Sequence, residues 1–168
     1  MADQTRVLFV CMGNICRSPT VEGVFRQQAE KAGWGAMFVA DSAGTVGAHA
    51  GEPPDRRAIR HARDAGYDIA GLRARQVSPA DFGRFDLILA MDRPVLQALE
   101  RLRSFSHGGA AELALFLDFH PEHAGQDVPD PYYGSDEDFA RVLRLAEEGS
   151  TALLRTLLTR KGVLGCGC

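Results

Sequence analysis

Apolar residues along this chain follow two rhythms, and the switches between them lay out its elements. Arg6-Val-Leu-Phe-Val10 is an unbroken β-branched and aromatic run, the pattern of a strand covered on both faces in a parallel sheet. After a loop, Ser18 is placed as a helix N-cap with Pro19 as the first helical residue. Val21, Val24, Phe25, Ala29 and Ala32 then recur at helical spacing, and Gly33 stops the helix. Residues 37–40 predict a second short strand, and the Gly- and Pro-rich stretch 44–54 a loop. Asp55 caps a helix whose inner face is Ala58, Ile59, Ala62 and Ala65. Ser78-Pro-Ala-Asp81 has a capping-box pattern, residues 85–90 predict a third strand, and Asp92 caps a helix with Val95, Leu96, Leu99 and Leu102 inward. Residues 112–117 predict a fourth strand and 119–135 a long polar loop. A last helix begins near Ser135, with Asp136, Glu137 and Asp138 complementing its dipole and Phe139, Val142, Leu143, Ala146, Leu153, Leu154, Leu157 and Leu158 as its apolar positions.

Strands alternating with helices predict an α/β fold, a parallel sheet with helices on both faces. The absence of repeats and linkers predicts one domain over residues 1–161, followed by a mobile tail, 162–168. The 168 residues suffice for one buried core. Lys+Arg 19 against Asp+Glu 22 gives a net charge of −3, which offers no electrostatic reason for a nucleic-acid or anionic-membrane partner. No apolar run is long enough to cross a bilayer. The N-terminus has no basic segment followed by an apolar core, so no signal peptide is expected and a cytoplasmic location is.

The informative stretch is Cys11-Met-Gly-Asn-Ile-Cys-Arg-Ser18, between a buried strand and a helix N-terminus. Ligands of open parallel sheets bind at the carboxyl ends of strands. Successive backbone N–H groups at a positive helix end make an anion cradle. Gly13 allows close backbone approach, and Arg17 can grip two phosphoryl oxygens at once. The field that draws a phosphate to this place also favours a thiolate at Cys11, and Ser18 can donate to its sulfur. A thiolate facing a phosphoryl group is a nucleophile for covalent catalysis. Alone, Cys11 would read as a small core residue; the coincidence of Cys, five residues, Arg and Ser-Pro with strand, loop and helix favours chemistry. Neither a nucleotide-binding Gly-Lys-Ser/Thr loop nor a Gly-x-Gly-x-x-Gly motif is present. Ester hydrolysis also needs an acid for the leaving oxygen. Asp130, in Val128-Pro-Asp-Pro-Tyr-Tyr-Gly134, is the candidate, with Tyr132 and Tyr133 as walls for an aromatic group. The same segment also reads as a turn before the last helix.

These residues resemble the low-molecular-weight protein tyrosine phosphatases, over nearly the whole chain. Val7-Leu-Phe-Val-Cys-Met-Gly-Asn-Ile-Cys-Arg-Ser-Pro19 is similar to the family's signature loop. Asp41-Ser-Ala-Gly-Thr45, Gly51-Glu-Pro-Pro-Asp55, Ala74-Arg-Gln76, Met91-Asp92 and Asp130-Pro-Tyr-Tyr-Gly134 resemble its other landmarks, in order. The resemblance implies a three-layer αβα fold with a four-stranded parallel sheet of order 2-1-3-4. It implies hydrolysis of phosphotyrosine through a cysteinyl-phosphate, without cofactor or metal. In that reading Cys11 is the nucleophile, Arg17 binds phosphate, and Asp130 is the general acid and later the base. Met12, Gly13, Asn14, Ile15, Cys16 and Ser18 complete the phosphate loop, with Asn14 and Ser42 holding its shape. Cys16 reads either as a redox partner forming a reversible disulfide with Cys11 or as a packing thiol. The implied partners are a phosphotyrosine protein or peptide and, as among bacterial relatives, a cognate tyrosine kinase; a monomer is expected.

Two positions depart from the family pattern. Ala48 stands where many relatives place an aromatic slot wall, and Leu72 where many place a His in the network behind the loop. Rival activities on this fold are thiol-dependent arsenate reduction and phosphoarginine hydrolysis. The first needs downstream redox cysteines, absent from residues 70–102. The second typically has Thr at the position of Ile15. A module that senses phosphate without turnover has no feature in its favour. Cys166-Gly-Cys168 and His120-Pro-Glu-His123 each offer too few ligands for a metal.

Overall fold

The computed structural model describes residues 3–165; Cys166 and Cys168, and the end of the predicted tail, lie outside them. Four strands, β1 (Thr5–Cys11), β2 (Phe38–Gly44), β3 (Leu87–Ala90) and β4 (Glu112–Leu115), form one sheet of order β2-β1-β3-β4 with every pairing parallel. The helices are α1 (Arg17–Lys31), α2 (Arg56–Asp64), α3 (Asp81–Arg84), α4 (Arg93–Arg103) and α5 (Asp136–Arg160). The expected architecture and strand order are those observed.

β1 lies in the middle, and its side chains alternate between two cores. Val7, Phe9 and Cys11 face one that includes Val24 and Phe25 of α1 and Leu153 and Leu157 of α5. Leu8 and Val10 face the other, with Phe82, Val95 and Leu99. Residues Val7 to Val10 are fully buried, which is why the run carries no polar residue. Ring contacts tie the larger core together: Phe9 meets Phe25 and Phe116 at 5.6 and 5.9 Å.

Several boundaries differ from the sequence expectation. Helix α1 begins at Arg17 with Cys16 in the cap position, so Ser18 is not the N-cap; its hydroxyl is turned to the Cys11 sulfur instead. Strand β2 continues to Gly44 through polar Asp41 and Ser42, which pair in register with Leu8 and Phe9. Strand β3 starts at Leu87 rather than 85. Strand β4 ends at Leu115, and Phe116–Phe119 forms a 3-10 turn that sends the consecutive Phe116 and Leu117 into one core, which a strand could not do. Beyond α5, Gly162 adopts φ 75° and Val163 N–H donates to Leu158 O, so the first tail residues fold back on the helix end. No helix among the described residues is long and apolar enough to cross a membrane.

Candidate active site

The loop leaving β1 folds around one sulfur. Asn14 N–H donates to Cys11 Sγ at 3.2 Å, and Ser18 Oγ lies 3.0 Å from the same atom. Asn14 Nδ2 donates to Ser18 Oγ at 2.8 Å, which leaves the Ser18 proton for the sulfur. Asn14 has φ 58°, a left-handed conformation rare outside glycine but tolerated by Asn. Its side chain is used at both ends. Nδ2 also donates to Ser42 Oγ at 3.0 Å, and Oδ1 accepts from the Arg75 N–H at 3.0 Å. The Asn14–Ser42 pairing implied by resemblance is therefore in place.

Behind this pair the network continues into the protein. Ser42 Oγ donates to Glu22 Oε1 at 2.6 Å. Glu22 is buried, and burial raises its carboxyl above the ordinary range against the opposing pull of Ser42 and Arg26. Its other oxygen takes Arg26 Nη2 at 2.6 Å. Leu72, the departure from the family pattern, packs against the apolar core and takes no part in this network. Arg75, whose N–H meets Asn14, is itself gripped through its guanidinium by Asp41 and Asp81 at 3.0 to 3.2 Å.

The end of β2 closes the cradle from the side. Thr45 and Val46 N–H groups donate to the carbonyls of Cys11 and Met12. A Cβ on Gly44 would stand 2.7 Å from Met12 O, so only glycine allows this approach. Helix α1 has no side-chain cap and no acid in its first turn, leaving its N-terminal N–H groups and positive end to a ligand.

Arg17 is 3% exposed. Its Nη1 donates to Asp92 Oδ2 at 2.6 Å and to Val128 O at 3.0 Å, and its Nη2 lies 3.7 Å from Asp130 Oδ2. Burial disfavours the guanidinium charge, but Cys11, Asp92 and Asp130 outweigh it and hold the group protonated. Asp92 and Val128 are thus Arg17's anchors, which sequence reasoning missed because Asp92 had already served as the cap of α4; it does both, one task per oxygen. Asp130 Oδ1 accepts from Tyr132 N–H at 3.1 Å, and its side chain is half exposed at the mouth. Cys16 is buried beside the loop, and burial, with Asp55 and Cys11 close by, pushes its thiol up to about 12.

One cleft of about 260 Å³ gathers these groups. Cys11, Met12, Gly13, Ile15, Cys16 and Arg17 line it together with Ala48, Asp130, Tyr132 and Tyr133; Val46 and His49 line it too, which the sequence does not suggest, while Asn14 and Ser18 of the same loop stand outside the lining. Tyr133 is almost wholly exposed, while Tyr132 has Arg57 against its ring and bonded to its carbonyl. The sequence matches the family described as low molecular weight phosphotyrosine protein phosphatase over residues 6–163. The chain belongs to that family. It is 46% identical to a low molecular weight protein-tyrosine-phosphatase of Streptomyces coelicolor, covering 89% of this chain and 91% of the relative. A protein of Synechocystis named as a putative member is 42% identical over 90% of this chain and 96% of its own. The crystal structure of YfkJ from Bacillus subtilis superposes with TM-score 0.85 at 38% identity, covering 95% of this chain and 98% of that one.

Away from the family's cleft, His120, His123 and Glu148 bring three metal-type ligand atoms within 4.8 Å of one another. His120 Nδ1 accepts from Glu122 N–H at 3.0 Å, so Nε2 carries the proton and donates to Glu148 at 2.7 Å. That tautomer offers a metal no lone pair at Nε2, and the group reads as a polar brace between a loop and α5.

Proposed function

We propose that this chain hydrolyses phosphotyrosine and similar aryl phosphate monoesters through a cysteinyl-phosphate. The observation that carries the reading is one sulfur, Cys11 Sγ, met by the Asn14 N–H and the Ser18 hydroxyl, with Arg17 and Asp130 in the same cleft. The thiolate attacks phosphorus, forming an S–P bond as the P–O bond to the aryl group breaks. Asp130 gives its proton to the leaving phenolate oxygen. In the second half Asp130 takes a proton from water, whose oxygen attacks phosphorus; the S–P bond breaks, and inorganic phosphate leaves the restored thiolate. Loop N–H groups and Arg17 balance the charge on the phosphoryl oxygens throughout. Ser18, donating to the sulfur, steadies the thiolate as attacker and as leaving group.

The buried, apolar Ile15 and the tyrosines at the mouth support an aryl ester over a guanidino phosphate. We take the protein to act as a monomer in the cytoplasm, on proteins phosphorylated by a cognate tyrosine kinase. Cys16 is assigned as the redox partner of Cys11: peroxide converts the Cys11 thiolate to a sulfenic acid, and the Cys16 sulfur then displaces hydroxide, which leaves as water, to form the disulfide. A thiol protonated up to about 12 makes that closure slow at neutral pH. The test is kcat/KM across peptides bearing phosphotyrosine, phosphoserine or phosphoarginine, with Cys11→Ser as control and thiol-dependent arsenate reduction assayed alongside. Phosphotyrosine leading by an order of magnitude and no turnover in Cys11→Ser are expected. Turnover retained by Cys11→Ser, or a lead for phosphoarginine or arsenate, would overturn the reading.

A further inference from the structure

Asp130 stands half exposed on a loop, and a side chain outside the cleft lining reaches that loop. Arg57 is the second residue of α2. The start of this helix is tied to the phosphate loop, because the N–H of its cap, Asp55, donates to Ile15 O at 2.8 Å. The Asp55 carboxylate accepts the Arg57 N–H at 2.8 Å and takes the guanidinium as a fork, from Nε at 3.1 Å and from Nη2 at 3.0 Å. Those bonds hold the Asp55 carboxyl below the usual carboxylate range. The guanidinium carbon also lies 4.6 Å from the centre of the buried Phe139 ring of α5 and 5.6 Å from that of Tyr132. From this fixed position Nη2 donates to Tyr132 O at 2.9 Å. Among the described residues no other group donates to that carbonyl.

Tyr132 is thereby held on both sides of its Cα. Arg57 takes its carbonyl, and its own N–H donates to Asp130 Oδ1 at 3.1 Å. The other Asp130 oxygen lies 3.7 Å from Arg17 Nη2, beyond a hydrogen bond, so the Tyr132 amide is the polar contact that aims the carboxyl. We propose that Arg57 is a positioning residue for Asp130, clamping the acid's loop to the phosphate loop through Asp55 and Tyr132, an inference that rests on the phosphatase reading of the cleft. Arg57 does not line the cleft and touches neither Cys11 nor Arg17, so its effect on turnover passes through Asp130. Proton transfer to a leaving oxygen needs the acid within hydrogen-bond reach, and a shift of about 1 Å is enough to lose much of it.

The test is Arg57→Ala, which keeps the backbone N–H that Asp55 caps. Its kcat/KM for a phosphotyrosine peptide is expected to fall about tenfold, while that for dinitrophenyl phosphate, whose phenolate leaves without a proton, stays within about twofold. Inhibition by inorganic phosphate should also stay within about twofold, since the phosphate loop is untouched. In an Asp130→Asn background the same substitution should cost less than about twofold, because the group it aims is already gone. Amide exchange should quicken over residues 130–134 and stay as in the wild type over residues 11–18. An equal loss for both esters, a full tenfold loss in the Asp130→Asn background, or unchanged turnover and exchange would each overturn the assignment. Quickened exchange over residues 130–134 in a protein whose wild type does not hydrolyse phosphotyrosine would uphold the clamp and count against the phosphatase reading alone.

Discussion

Asp92 is the residue on which the site leans hardest without touching a ligand. Its Oδ1 accepts the Val95 N–H at 2.9 Å and caps α4, while Oδ2 holds the buried Arg17 at 2.6 Å. In Asp92→Ala both interactions go. Loss of an N-cap costs about 1 kcal/mol. A buried guanidinium deprived of a charged acceptor costs a further ~2–3 kcal/mol, since only Val128 O then stays within bonding distance. Asp92→Ala is therefore expected to lose about 3–4 kcal/mol in urea unfolding with an unchanged m value. Asp92→Asn has one carboxamide oxygen and can serve either the cap or Arg17, so it should lose roughly half as much. Both variants should bind inorganic phosphate about tenfold more weakly, because Arg17 is no longer held in its bidentate orientation. An alanine variant within about 0.5 kcal/mol of wild type and equal in phosphate affinity would refute the reasoning.

Asp130→Asn should slow turnover of a phenolic ester as basic as tyrosine by roughly 10²–10⁴ and leave phosphate affinity similar; an unchanged rate would remove Asp130 from its role as acid. Ala48→Trp, which adds a wall beside His49, should raise the preference for aryl over alkyl phosphates, read as a ratio of kcat/KM values, and an identical ratio would count against a slot at that place. Cys16 has a folded-state pKa raised from 9.0 to about 12, so its contribution to stability is complete below pH 9 and drains away as pH climbs towards 12, by about 1.4 kcal/mol per unit. Urea unfolding of wild type and Cys16→Ala between pH 8 and 11 should show the steeper decline in the wild type; parallel curves would contradict it.

The parts of the fold that are legible from sequence are those whose burial is uniform. β1 reads correctly because both its faces meet apolar cores, and α4 and α5 because their caps and stripes agree. The errors cluster around the cleft. β2 extends beyond the strand that its sequence predicts because its last residues, Asp41, Ser42 and Gly44, suit contacts with Arg75, Asn14 and Met12 and not strand propensity. Ser18 looks like a helix cap because hydroxyls usually are, yet its proton is turned to a sulfur seven residues back. Cys11, Arg17 and Asp130 are recognisable from spacing and flanking prolines. Their supports are not: Glu22, Arg26, Val128 and the second task of Asp92 depend on contacts between residues far apart in sequence, and a single chain carries no local mark of them.

The order β2-β1-β3-β4 places the phosphate loop on a central strand, with Ser42 arriving from one neighbour, Asp92 from the other, and Val128 and Asp130 from the segment that follows the outermost strand. No single hairpin or helical unit contains the site, so it completes only when pairings far apart in sequence have closed. Recovery of activity during refolding should therefore lag recovery of helical signal, and a partly assembled chain should have structure to measure but no turnover to detect.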